Sequence, residues 1–176
     1  MESKEQRVTL RPITINDLPD CTRWAQDEEV MHHVIQRTFT PEQEREWLEG
    51  VLQSDQEKVF MILNEDQKPI GTCGIHFSST NPELRGEEGL SLGIMLGEKS
   101  EWGKGYGPEA LRILADITHQ EFDAQRVWLT VDVIHARAIR AYEKAGFKVV
   151  REIDVPDRVH SDGKQLLMEI RYTHIP

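Results

Sequence analysis

The sequence predicts a single α+β domain, a mixed, mostly antiparallel sheet with helices on both faces. Three observations carry that expectation. The chain has 176 residues, 38% hydrophobic and 30% charged, which suits one soluble globular domain with one core. Apolar residues recur at strand spacing in some segments and at helix spacing in others. The order of those segments gives hairpins at both ends and a β-α-β-α-β stretch between them. That makes about six to seven strands.

The elements follow in chain order. Val8 to Pro12 alternates apolar and charged residues and reads as a strand. Asn16-Asp17 opens a short helix holding Leu18, Cys21 and Trp24. Thr40-Pro41-Glu42 starts a helix with a Thr cap, a Pro at the first helical position and acids in the first turn. It runs to about Ser54, with Trp47, Leu48, Val51 and Leu52 as its apolar stripe. Val59 to Leu63 and Ile70 to Phe77 form a hairpin across the turn Asn64 to Lys68. Residues 78–88 are polar, contain Asn81-Pro82 and Gly86, and form a loop. Leu90 to Leu96 is the next strand. Pro108 begins a helix to about Phe122, with Ala110, Ile113, Leu114 and Ile117 on one side. Val127 to Val131 is a strand, Ala136 to Ala145 a helix stopped by Gly146, and Val149 to Val155 a strand. The turn Asp162-Gly163 leads into a last strand, Gln165 to Tyr172.

Composition excludes several functions. The formal net charge is −10, so the chain repels a phosphate backbone and nucleic-acid binding is not expected. No apolar run approaches the length of a membrane span, and residues 1–7 hold no apolar stretch of a secretory leader. Cys21 and Cys73 are isolated, which fits a reduced, cytoplasmic setting. The seven histidines, the neighbours His32-His33 included, match no metal spacing, so no metal is expected. The acidic excess is uneven: residues 1–88 carry −9 and residues 89–176 carry −1.

The chemistry concentrates in one segment. The strand ending Ile94-Met95-Leu96 runs into a loop with glycines at 103, 105 and 107, and the loop opens a helix. Glycine lets backbone N–H groups approach a ligand closely. The first N–H groups of a helix lack internal partners and sit at its positive end. Together these make a diphosphate cradle. Spacing rejects other phosphate binders. A P-loop requires Gly where Glu98 stands and Ser or Thr where Gly105 stands. A dinucleotide fingerprint requires a third Gly where Pro108 stands.

The loop resembles the main motif of the GNAT superfamily of acetyl-CoA-dependent N-acetyltransferases, Gln/Arg-x-x-Gly-x-Gly/Ala. Gly105-Tyr106-Gly107 supplies the glycine pair and Glu109-Ala110-Leu111 follows. Trp102 stands in the Gln/Arg place. A second stretch, Ala138-Ile139-Arg140-Ala141-Tyr142-Glu143-Lys144-Ala145-Gly146-Phe147, is similar to the family's A-I-x-x-Y-x-K-x-G-F signature. The resemblance covers nearly the whole chain, most firmly residues 89–150, and extends to branches that acetylate ribosomal proteins, polyamines and aminoglycosides. Gly146 as a left-handed residue past the helix, with Phe147 packed back on Tyr142, explains that spacing on structural grounds alone.

The resemblance implies one N-acetyltransferase domain over residues 1–176. Acceptor-side elements occupy 8–88, an acetyl-CoA-binding core 89–150, and C-terminal strands 151–176. It implies that strand Leu90–Leu96 splays away from its parallel partner Val127–Val131. The pantetheine arm then pairs with backbone near Met95 and Leu96, with the Met95 N–H facing the thioester carbonyl. Trp102, Gly103, Lys104, Gly105, Tyr106 and Gly107 hold the diphosphate. His135 stands where many relatives carry a capping Asn that contacts cofactor. Tyr142 is the general acid to the departing thiolate, a near match for ordinary pKa values of about 10 and 8.5. Glu87 and Glu88 precede the central strand, and Glu88 is a candidate to serve the acceptor's proton. Ser91 stands where some relatives have a Glu. The acceptor is a primary amine on a small molecule or a protein N-terminus, and relatives are often dimers. A second class fits the same motifs: a CoA-binding sensor without turnover.

Overall fold

The computed structural model describes residues 5–32, 34, 37–79, 81–155 and 163–173. Seven strands form one sheet: β1 (Thr9–Pro12), β2 (Glu57–Leu63), β3 (Pro69–His76), β4 (Leu90–Leu96), β5 (Arg126–Asp132), β6 (Lys148–Asp154) and β7 (Lys164–Arg171). Their order is β1-β2-β3-β4-β5-β7-β6. Every neighbouring pair is antiparallel except β4–β5, which is parallel. Five α-helices accompany them: α1 (Leu18–Ala25), α2 (Glu28–His32), α3 (Pro41–Gln53), α4 (Tyr106–Phe122) and α5 (Ala136–Lys144). The expected mixed, mostly antiparallel sheet with one parallel pair is present.

Strand alternation sorts the core into layers. Along β2, Met61 joins Trp24, Leu48 and Val51 from α1 and α3, whereas Ile62 joins Leu111 and Leu114 from α4. Leu111 and Leu114 are fully buried, and each such side chain contributes about 1.5–3 kcal/mol. Cys21 and Cys73 are buried in these layers as free thiols.

The elements differ from the sequence pattern in three places. Helix α2 is additional. It is one short turn begun by Asp27, whose carboxylate accepts from the Glu29 and Val30 N–H groups. Trp47 and Leu52 stand exposed on α3, while Glu44, Leu48 and Val51 form its buried stripe. Helix α4 starts at Tyr106 rather than Pro108, because left-handed Gly105 already turns the chain into the helix. Of the Asp162-Gly163 turn only Gly163 is described, at φ 69°; Asp162, and His33 of the histidine pair, lie outside the described residues.

Candidate active site

The site begins where β4 and β5 part. Only Leu90–Val127 and Ser91–Trp128 are paired, so the strands diverge from Leu92 and Leu129 onward. A cavity of about 780 Å³ fills the opening, within the range of small-molecule sites. Its walls include Ile94, Met95 and Leu96 of β4, Thr130 and Asp132 of β5, Tyr142 of α5, and Glu28 and His32 of α2.

Register decides which backbone groups face that opening. Gly97 donates to the Ile70 carbonyl at 2.9 Å, and Met95 lies opposite Thr72. In an antiparallel ladder bonded pairs recur every second residue, so the Met95–Thr72 pair bonds within the ladder. The Met95 N–H therefore points at β3, not at the cavity, which corrects the expected oxyanion contact. The groups turned toward the β5 side belong to Ile94 and Leu96. Met95 reaches the cavity with its side chain, packed toward the α1–α3 layer.

The glycine loop closes one end. Gly103 and Gly105 have φ of 78° and 86°, a region where a side chain is strained. Gly107 faces the Leu96 side chain, where a Cβ would stand 3.5 Å from it. The N–H groups of Tyr106 and Gly107 open α4 and have no helical carbonyl to reach. Tyr106 turns its ring into the core and its hydroxyl donates to Glu65 at 2.6 Å, so only its backbone N–H is left to meet a ligand at the loop. That bond to the Glu65 carboxylate pushes the phenol up to about 12. Lys104 is exposed and pairs with Glu101 at 3.3 Å. Trp102 donates its indole N–H to the Leu96 carbonyl at 2.9 Å, and Arg137 lies over its ring at 5.0 Å.

Helix α5 carries the second motif to the cavity. His135 precedes its first residue and lines the cavity; the Ile139 N–H donates to its carbonyl. At the other end, Gly146 donates to Glu143 and Phe147 donates to Tyr142, both at 3.0 Å. This double bond pattern with left-handed Gly146 is a Schellman cap. The cap explains Gly-Phe, and the same helix turns half-buried Tyr142 into the cavity. Desolvation, with the charge of Asp132 added, pushes the Tyr142 hydroxyl up to about 12. The near match with a thiol expected from ordinary values is therefore not kept. Asp132 is itself buried and accepts from Gln165 at 2.9 Å.

The structure does not bring Glu88 to this site. It is exposed, sits in the bend before β4, and is not among the residues that line the cavity. Its carbonyl accepts from Arg126, and Glu87 pairs with Arg126 at 2.7 Å. The Glu87 carboxylate and the Glu88 carbonyl both sit at the closed end of the β4–β5 pair. The acids that do line the cavity are Glu28, Glu29 and Asp132. The run Asp27-Glu28-Glu29 was the signal of the first two in the sequence. Lys99, just past β4, anchors that wall by pairing with Asp27 at 2.8 Å and Glu29 at 3.1 Å. Among the described residues no group of three His, Cys, Asp or Glu is arranged to hold a metal, and no helix is long and apolar enough to cross a membrane.

Comparison with known proteins agrees with this geometry. The family model described as "Acetyltransferase (GNAT) domain" matches residues 7–148. An uncharacterized N-acetyltransferase p20 of Bacillus licheniformis is 26% identical over 149 residues, 81% of this chain and 80% of that protein. An aminoglycoside N(6')-acetyltransferase type 1 of Klebsiella pneumoniae is 26% identical over 162 residues, 85% of this chain and 78% of that protein. In fold, the chain is similar to an aminoglycoside acetyltransferase crystallised with coenzyme A, with TM-score 0.80, 23% identity, and 93% and 94% of the two chains covered. It is also similar to a spermidine N-acetyltransferase of Vibrio cholerae crystallised with CoA and spermine, with TM-score 0.77, 15% identity, and 94% and 95% of the two chains covered. The fold and the enzyme class read from the sequence, an acetyl-CoA-dependent N-acetyltransferase, stand with that match: the chain belongs to the GNAT acetyltransferase family.

Proposed function

We propose that this chain moves the acetyl group of acetyl-CoA onto a primary amine of a small cationic molecule, both bound together. The observation that carries the acceptor class is the acidic wall. Glu28 and Glu29, the latter held by Lys99, face the same cavity as Tyr142 and the β4 end, with Asp132 behind and Arg137 as the cation among the lining residues. Clustered acids in a cleft raise the local concentration of a cation. The −9 charge of residues 1–88 has the same sense. The named relatives act on aminoglycosides and spermidine, which are amines of this kind.

The residues present fit CoA. Left-handed Gly105 and the open first turn of α4 suit a diphosphate held by backbone N–H groups. The diverging edges of β4 and β5 leave the Ile94 backbone and the Leu96 N–H to pair with an amide-bearing arm, while the Leu96 carbonyl is held by Trp102. When bound, acetyl-CoA supplies the activated thioester. The chain's own part is positioning and proton handling. Leu96 and Ile94 aim donors at the cavity, and Tyr142 holds a proton at its hydroxyl for the departing sulfur. Holding two reactants in line contributes about 7–11 kcal/mol in favourable cases. The setting is cytoplasmic, consistent with the two free cysteines.

An acceptor screen tests the class. We expect product mass increases with polyamines and aminoglycosides, and KM values that rise with salt and with Glu28→Gln. Turnover of neutral-bodied amines or peptide N-termini in preference, with no salt effect, contradicts the acidic-wall reading.

A further inference from the structure

The segment before β1 is bound to the glycine loop. Glu109, in the first turn of α4, accepts from the backbone N–H groups of Arg7 at 2.5 Å and Val8 at 3.0 Å. The Arg7 guanidinium pairs with the same carboxylate at 3.3 Å and lies 4.9 Å above the Tyr106 ring. Its other edge donates to the Lys104 carbonyl at 3.1 Å. Arg7 Nη2 is also near Gly105, 3.2 Å from where a Cβ would stand. Its Nε is buried without a partner among the described residues, so the two Nη edges fix the group.

We infer that Arg7 is a positioning residue for the diphosphate: it orients the Lys104–Gly105 peptide so that the Gly105 N–H faces the cofactor. The carbonyl and N–H of a trans peptide point in opposite directions. A guanidinium that holds the Lys104 carbonyl on the β1 side therefore turns the Gly105 N–H to the other side. A positive charge at the carbonyl end also polarises the peptide and strengthens its N–H as a donor. The flexibility of Gly105, at φ 86°, makes such a clamp necessary, because glycine alone does not choose between left- and right-handed conformations. Glu109 and Tyr106 in turn hold Arg7, and Glu65 holds Tyr106. Neither family motif contains Arg7, which lies 98 residues before Gly105 in sequence.

This inference rests on the acetyl-CoA reading, and its test separates the two. Arg7→Met and Arg7→Lys are compared with the wild-type chain for calorimetric binding of CoA and of 3′-dephospho-CoA. They are also compared for kcat/KM with acetyl-CoA and with acetyl-pantetheine, which lacks the diphosphate. We expect Arg7→Met to weaken both nucleotides by about tenfold, the loss one charge-assisted hydrogen bond carries. The kcat/KM with acetyl-CoA falls by the same factor through KM, and the factor collapses with acetyl-pantetheine. Arg7→Lys, which keeps the charge without the planar fork, falls between and carries the test where Arg7→Met does not fold. Unchanged CoA affinity overturns the inference. So does an equal loss with acetyl-pantetheine, which signals general damage, or a loss confined to CoA, which assigns Arg7 to the 3′-phosphate. A wild-type chain that binds CoA without acetylating any amine overturns the N-acetyltransferase reading and leaves the Arg7 result standing. A wild-type chain that does not bind CoA overturns both.

Discussion

Trp102 donates its indole N–H to the Leu96 carbonyl at 2.9 Å, across the corner where the splayed strand becomes the glycine loop. The family's Gln or Arg place is thus filled by an aromatic that braces the backbone. Trp102→Phe keeps the ring under Arg137 but leaves that carbonyl without its donor. A net hydrogen bond is worth about 1 kcal/mol, so KM for acetyl-CoA rises about fivefold. Steady-state kinetics at varied acetyl-CoA reads this, and an unchanged KM removes the brace from the account.

Tyr142 lies on the cavity with its hydroxyl pushed up to about 12 by desolvation, with Asp132's charge added. It stays protonated through neutral and mildly basic pH, so Tyr142 puts no basic limb on kcat between pH 7 and 10. Tyr142→Phe lowers kcat by about 10²–10⁴, with KM for acetyl-CoA little changed. A variant with full turnover on its true acceptor contradicts the proton-donor role.

Glu44 is buried on α3, and burial pushes its carboxyl up to about 7. The folded state holds this proton at a pH where the unfolded chain has already lost it. The stabilising preference for the protonated form is complete below the ordinary Glu pKa of about 4.3 and is lost as pH rises through about 7. Glu44→Gln removes that decline. Its denaturation midpoint, compared with wild type, is expected to be more favourable at pH 8 than at pH 4. A constant difference across that range contradicts the assignment.

Two glycine substitutions have opposite expected signs. A Cβ at Gly97 overlaps the Trp24 ring, which is itself pinned by its indole bond to Glu98 at 2.9 Å. Gly97→Ala costs about 1–3 kcal/mol, as overpacking does. Gly50 lies inside α3 with nothing within 4 Å of a Cβ. Gly50→Ala stabilises by about 0.5–1 kcal/mol through helix propensity. Chemical denaturation of both variants reads the pair.

Local patterns were legible in the sequence where local physics sets them. Thr40-Pro41 caps α3 as expected, with the Gln43 N–H donating to the Thr40 hydroxyl at 3.2 Å. Gly146-Phe147 closes α5 by a cap whose geometry is intrinsic to that spacing. The misses depend on distant partners. The direction of the Met95 N–H follows from its register with Thr72, which no pattern within β4 encodes. Glu88 neighbours the central strand in sequence, but the length of that strand separates it from the cavity. Glu28 and His32 join the site because α2 packs there, and a five-residue helix has too little periodicity to be seen. Trp47 and Leu52 fit a helical stripe, yet Glu44 takes the inward place.

The most direct measurement is free-thiol release from acetyl-CoA by the purified chain, with and without amine. Steady release is expected that requires an amine, is fastest with polycationic acceptors, and collapses in Tyr142→Phe. CoA binding with no amine-dependent release contradicts it and makes the chain a cofactor sensor on the same fold.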